Sequence, residues 1–154
     1  MISNCISLFK SYHPGMEREE LGSLFGRITR RLMAAEGPLL DDHGLSMWGY
    51  SVLSQLARQP GVNQLTLATA IGYDKSRLIT LLDELEREGL IDREPDPADR
   101  RNRLVQLTAA GEARHAAVQA DIRAMEDDLL GELSAAERRS LISMLARLAN
   151  ASGR

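Results

Sequence analysis

The chain has 154 residues, of which 44% are hydrophobic and 27% are charged, a length and composition sufficient for one unit with a buried core. No apolar run approaches the ~18 residues that span a bilayer, and the N-terminal segment lacks the features of a secretory signal, so we expect a cytoplasmic protein. A net charge of −3 argues against non-specific coating of nucleic acid, and 4% aromatic residues are too few to stack single-stranded bases. Binding of duplex DNA is not excluded.

Cysteine and histidine are scarce. Cys5 has no second cysteine to pair with, and no basic residue closer in sequence than Lys10 favours its thiolate. We therefore expect neither a disulfide nor a redox role for Cys5. The three histidines are scattered, which predicts no metal site, and His13 and His115 are expected on the surface.

The sequence carries none of the common catalytic motifs. It has no nucleophile elbow, no phosphate-binding loop, no dinucleotide fingerprint and no zinc-protease motif. The carboxylates are spread along what we interpret as solvated helix faces. We expect no catalytic residues and no cofactor, and hence no enzyme.

Two amphipathic helices are predicted in the first part of the chain. Residues 17–35 contain no proline and carry apolar residues at helical spacing, and Gly37 and Pro38 end the run. After a short acidic loop, Ser46 can cap a second helix that stops before Pro60. The apolar content of this second helix predicts that it is mostly buried.

A pair of short helices follows. Residues 64–71 form the first, and Gly72 stands where a helix end commonly needs a left-handed residue. Residues 75–88 form the second, in which four leucines recur at i, i+3, i+4 and i+7. The stripe consists of Leu78, Leu81, Leu82 and Leu85. We expect this face to pack inward and the other face to be free.

The pattern then changes to that of a β-hairpin. Pro95 and Pro97 forbid a helix, and residues 104–107 alternate as a short strand does, so we predict two strands joined by a long tip. Thr108 opens a helix that runs to about residue 130, and Ser134 forms a capping box that starts the last helix.

Two short helices followed at once by a hairpin indicate a winged helix-turn-helix over residues 45–108, within a mainly α chain. The second helix of such a unit fits the major groove of DNA. Its free N-terminal half carries side chains that can contact bases or phosphates, and the helix N-terminus itself favours phosphate. These side chains are Lys75, Ser76, Arg77 and Thr80. The acidic C-terminal half would repel DNA.

The tip of the hairpin is a second basic cluster. It carries Arg100, Arg101 and Arg103 beside Asp99. A guanidinium on a stiff hairpin suits a narrow minor groove, and Asp99 could brace it by a salt bridge. The alternative is that the three arginines form a solvated turn. Their position directly after the two-helix unit favours contact with DNA.

Several stretches together resemble the MarR family of bacterial regulators. The stretches are residues 45–48, 52–53, 64–72, 81–91 and 96–108. The resemblance covers nearly the whole chain, and the wing motif from Asp99 to Arg101 is its most specific part. It implies a sequence-specific DNA-binding repressor released by a small molecule, with Arg101 as the minor-groove arginine. The alternative is a winged helix that docks on another protein and binds no operator.

The resemblance also implies a homodimer built from residues 10–36 and 109–150, within a single unit of residues 1–154. Apolar stripes on the last two predicted helices favour this, because little of the chain remains to cover them. The stripes comprise Val118, Ile122, Met125, Leu129, Leu141, Leu145 and Leu148. Such a dimer would set two recognition helices about one DNA turn (~34–36 Å) apart, so the operator should be roughly palindromic.

The same family commonly binds small, often aromatic anions between its dimerisation and DNA-binding parts. By resemblance, the lining in this chain would come from the first two helices and their connecting loop. The candidates are Arg30, Met33, His43, Met47 and Trp48. The alternative for each is an ordinary packing role, since Trp and Met at helical spacing are usually part of a core.

Overall fold

The computed structural model describes residues 19–97 and 103–151. Its elements in chain order are α1 (Leu21–Asp42), α2 (Met47–Arg58), β1 (Val62–Asn63), α3 (Gln64–Ile71), α4 (Lys75–Arg87), β2 (Ile91–Pro95), β3 (Arg103–Leu107), α5 (Ala109–Leu129) and α6 (Ala135–Ala149). The fold is mainly α with a small antiparallel sheet, as the sequence predicted. Within the described ranges, no helix is both long enough and apolar enough to cross a membrane.

The chain divides into two units, Met1–Met33 and Ala34–Arg154. In the first unit the described residues are the first turns of α1 and the two residues before it. There the guanidinium of Arg27 donates hydrogen bonds to both carboxylate oxygens of Glu19, one of them at 3.0 Å. Both groups are exposed, so this pair contributes little to stability.

Helix α1 ends later than the sequence predicted. It runs through Gly37 and Pro38 to Asp42, so the prediction that these two residues stop the helix was wrong. A residue before proline is disfavoured in a helix partly because its Cβ meets the proline ring, and Gly37 has no Cβ. The extra turn also buries Leu40 to 3% exposure, which contributes about 1.5–3 kcal/mol. This is comparable with the about 3 kcal/mol that an internal proline costs.

Side chains cap the helices of the second unit. Ser46 caps α2, as predicted, by accepting the backbone N–H of Gly49 at 3.0 Å. Asn63 caps α3 in the same way, and the capping box predicted ahead of α6 is present. Each such cap contributes about 1 kcal/mol. The local sequence therefore determines where these helices begin.

Helices α3 and α4 form the predicted helix-turn-helix. Gly72 ends α3 with φ of 66°, the left-handed conformation that the sequence indicated. All four leucines of the α4 stripe are buried, and Leu78 and Leu82 are among the fully buried side chains of the chain. They lie in one core cluster with residues of α2 and the sheet, including Leu53 and Ile91. Burial of this stripe decides which face of α4 is free.

The sheet has three strands where the sequence predicted two. β2 and β3 pair antiparallel from Ile91 opposite Leu107 to Pro95 opposite Arg103. The two-residue strand β1 pairs with the other edge of β3, with Val62 opposite Val105. β1 leads directly into α3, so this third strand fastens the base of the hairpin to the helix-turn-helix.

Thr108 fastens the start of α5 to the segment between α4 and β2. Its N–H donates to the carbonyl oxygen of Leu90 at 3.1 Å, and its hydroxyl donates to that of Gly89 at 2.6 Å. Thr108 Oγ1 also accepts the N–H of Gly111 at 3.0 Å and so caps α5, as predicted. Gly111 lies against the backbone of Leu90. The end of α4, the start of the hairpin and the start of α5 therefore meet at one place.

The apolar stripe of α5 is partly covered by this chain itself. Val118 and Ile122 are buried in the core cluster, and Met125 packs partly buried against it. The expectation that a partner chain covers Val118 and Ile122 was therefore wrong. Helix α6 differs, because none of its residues is buried and Leu148 is 63% exposed.

His115 is half-buried, whereas we expected it on the surface. Its ring stacks on that of Tyr50 with centroids 5.7 Å apart, and its Nε2 is buried without a hydrogen-bond partner among the described residues. Burial, and then the nearby charges of Arg58 and Arg123, lower the pKa of His115. The lowered pKa favours the neutral form of the ring. His13 and Cys5 lie outside the described residues.

Candidate nucleic-acid interface

The exposed face of the N-terminal half of α4 is mainly polar. The four predicted contact residues, Lys75, Ser76, Arg77 and Thr80, are all exposed. The same exposed surface includes the apolar side chain of Ile79. The structure therefore brings the predicted recognition-helix residues together on one short stretch, whereas their contact with DNA stays a prediction.

Asp74 occupies the N-terminus of α4. Its Oδ1 accepts the backbone N–H groups of Ser76 at 3.0 Å and Arg77 at 3.1 Å, and it also accepts the hydroxyl of Ser76. The bond from the Ser76 side chain is the largest cause that lowers the pKa of Asp74. The N–H groups of Ser76 and Arg77 are thus bonded within the chain, which leaves fewer amides of this helix end to bind a phosphate. The Ser76 hydroxyl is left to accept hydrogen bonds, while Arg77 and Lys75 provide the positive charge.

Arg93 connects the hairpin to the acidic half of α4. Its Nε donates to Glu86 Oε2 at 3.0 Å, and its Nη2 donates to Asp83 Oδ1 at 2.6 Å and to Glu86. The Arg93 side chain is only 12% exposed. The hydrogen bonding of Arg93 to Glu86 is the main cause that lowers the pKa of Glu86. Two carboxylates that would repel DNA are therefore paired with an arginine of the hairpin.

Sequence reasoning missed Arg93. From the sequence we predicted only that the acidic half of α4 stays away from DNA, and we assigned the arginine on β2 no role. The available signal was a lone basic side chain on a predicted strand directly after a run of acidic residues. That signal was weak, because the pairing depends on how the strand packs against α4.

We predict that Arg93→Met lowers the free energy of unfolding by about 1 kcal/mol, because it leaves two partly exposed carboxylates without their partner. DNA affinity should fall as well, since the negative charges of Asp83 and Glu86 beside the recognition face are no longer compensated by a guanidinium. Urea unfolding and operator titration measure the two effects. As the control, Arg87→Met removes a positive charge from α4 and should leave the free energy of unfolding nearly unchanged. Equal losses in both variants would contradict the role of Arg93.

The wing tip is only partly described. Asp99, Arg100 and Arg101 lie outside the described residues, so their predicted roles stay predictions. Arg103 is the first residue of β3, opposite Pro95, and is therefore in a strand and not at the tip. Its charge helps to lower the pKa of Glu86.

A cavity of about 340 Å³ lies between the end of α1, α2 and α3. Its lining is mixed and comprises Glu36, Leu40, Met47, Tyr50, Ser51, Ser54, Gln55, Arg58, Ala70 and Ile71. Burial, and then the charge of Glu126, raise the pKa of Glu36. A cavity that combines a tyrosine ring, hydroxyls and a guanidinium suits a small aromatic or anionic molecule.

Of the predicted ligand residues, only Met47 lines this cavity. Trp48 instead lies against Tyr73, with ring centroids 4.4 Å apart. His43 Nε2 is hydrogen-bonded to Asp121 at 2.7 Å. Arg30 and Met33 belong to the first unit, where Met33 is exposed. A ligand role for these five residues stays a prediction, and among the described residues no cluster suited to a metal ion occurs.

Comparison with known proteins identifies the family. The MarR family sequence model matches residues 45–102. Transcriptional regulator HosA of Escherichia coli O111:H- is 36% identical over 102 residues, which are 66% of this chain and 76% of that protein. The chain belongs to the MarR family. A putative transcriptional regulatory protein for the hcr operon of Thauera aromatica is 35% identical over 99 residues, 64% of this chain but only 60% of that protein.

Solved MarR-family structures share the fold. The transcriptional repressor CouR bound to a 23-mer DNA duplex is 32% identical, with a TM-score of 0.76 over 90% of this chain and 99% of that one. CouR from Rhodococcus jostii RHA1 bound to p-coumaroyl-CoA is 27% identical, with a TM-score of 0.73 over 88% of this chain and 96% of that one. This MarR-family chain is therefore a DNA-binding transcriptional regulator and not an enzyme.

Proposed function

We propose that this chain is a cytoplasmic, dimeric repressor that binds a roughly palindromic operator and is released by a small aromatic or anionic effector. The observation that carries the proposal is its likeness, over nearly the whole chain, to a repressor seen on a DNA duplex. The exposed polar half of α4 supports the major-groove contact. In this proposal Ser76, Arg77 and Thr80 lie in the major groove and Arg101 lies in the minor groove.

Dimerisation is supported by the uncovered face of α6. Its exposed apolar side chains are Ile142, Met144, Leu145 and Leu148. Such a group of large apolar side chains on one short helix is typical of a surface that another chain covers. We assign residues 45–108 to the DNA-binding lobe and residues 10–36 and 109–150 to dimerisation. Within α5, Val118 and Ile122 serve the core of the DNA-binding lobe instead.

Effector binding is assigned to the cavity beside α2. The Arg58 guanidinium can pair with a carboxylate, and the ring of Tyr50 can pack against an aromatic group. Ala70 and Ile71 at the end of α3 also line the cavity, so a bound molecule contacts the helix-turn-helix directly. A ligand shifts a conformational equilibrium only by its difference in affinity for the two states. Because the bound molecule would contact α3, its affinity can differ between two positions of the helix-turn-helix.

Binding-site selection with the purified protein tests the proposal. We expect enrichment of one roughly palindromic duplex. Its complex with the protein should dissociate when phenolic acids are added and should persist at the same concentrations of aliphatic acids. The solution mass of the protein should be that of two chains. Failure to enrich any duplex would refute operator binding and would favour a winged helix that docks on another protein.

A further inference from the structure

Ile79 is the apolar residue on an otherwise polar surface of α4. Its side chain is 45% exposed, whereas the four leucines of the same helix are buried. Ser76 precedes it by three residues and Asp83 follows it by four, so both are its neighbours on the exposed side of the helix. Ile79 therefore lies within the surface proposed to face DNA, and the core of the chain does not account for it.

The chemistry of the major groove supplies a partner for such a side chain. Thymine is the base that projects a methyl group there, and proteins contact this group with apolar side chains. Isoleucine offers neither a donor nor an acceptor, so it cannot recognise base edges by hydrogen bonds. We propose that Ile79 contacts a thymine methyl group in each half-site and thereby determines sequence preference. This inference rests on the proposed operator binding.

The neighbours of Ile79 fit this division of roles. Lys75 and Arg77 carry charges that suit phosphates or guanine, and Thr80 has a hydroxyl that suits several bases. The Ser76 hydroxyl donates to Asp74 and so keeps only its acceptor capacity. Ile79 adds a selection that hydrogen bonds cannot provide, because thymine and uracil differ only in the methyl group and present the same hydrogen-bonding groups.

Replacement of single thymines by deoxyuridine in the selected operator tests this contact. Wild-type protein should bind about fourfold more weakly per half-site when the contacted thymine loses its methyl group. Ile79→Ala should weaken binding of the thymine operator by a similar factor and should then bind the thymine and deoxyuridine operators equally. Thermal unfolding should show that this variant is folded, because the side chain is exposed and alanine favours a helix.

Leu65→Ala is the matched control. Leu65 is also an exposed apolar side chain of the helix-turn-helix, but it lies on α3. This variant should keep the full preference for thymine over deoxyuridine. The inference is overturned if wild-type protein discriminates at no thymine, or if Ile79→Ala discriminates as wild type does. Both results differ from failure of the proposed function, in which wild-type protein binds no selected duplex.

Discussion

Gly111→Ala should lower the free energy of unfolding by about 3 kcal/mol, the largest effect on stability that we expect from a single methyl group. A Cβ at this position would lie 1.9 Å from the carbonyl oxygen of Leu90 and 2.9 Å from its carbonyl carbon. Both atoms are backbone, so no side-chain rotation relieves the clash. The same carbonyl oxygen accepts the N–H of Thr108, which holds it in place.

Urea unfolding followed by circular dichroism measures this loss. Gly26→Ala is the control, because its added Cβ would meet only a guanidinium nitrogen of Arg30, at 3.8 Å. Gly26 lies inside α1, so alanine there should stabilise the chain by about 0.5–1 kcal/mol. Similar stability of the two variants would show that α5 can move away from Leu90 at little cost.

Arg101→Ala should weaken operator binding by about tenfold to a hundredfold for each wing. The expectation depends on the proposed insertion of a guanidinium into the minor groove, where the negative potential is strongest over narrow A·T tracts. Loss of the positive charge of one Arg101 should also reduce the slope of log affinity against log salt concentration by about one unit. In a dimer with two wings the two fold-changes multiply, and the change in salt slope doubles.

Titrations of the selected operator at several salt concentrations separate this role from a general charge effect. Arg123→Ala removes the same charge from α5 and should change neither the affinity nor the salt slope appreciably. Thr80→Ala should alter sequence preference more than salt response, because a hydroxyl contributes no charge. An unchanged salt slope for Arg101→Ala would show that the wing tip does not contact the DNA.

The sequence sufficed for the features that depend on neighbouring residues. The cap at Ser46, the left-handed Gly72 and the leucine stripe of α4 act within a few residues, so periodicity and capping rules found them. The face of α4 followed from that stripe alone. Consequently the predicted recognition-helix residues do lie together and exposed.

The features that sequence reasoning missed depend on distant parts of the chain. Strand β1 is two residues long and exists because Val62 pairs with Val105. Helix α1 continues past Pro38 because Leu40 reaches the core. The pairing of Arg93 with α4 likewise requires the strand and the helix to be packed already. No periodicity within a short window contains this information.

Helix α5 is held at its start by Thr108 and along its length by Val118 and Ile122, which are buried in the core cluster. A helix of 21 residues is about 32 Å long, so a rotation of about 5° about its first turn would displace the other end by about 3 Å. In the proposed dimer, the packing that holds α5 at this angle therefore limits how far the spacing of the two recognition helices can change to match two half-sites.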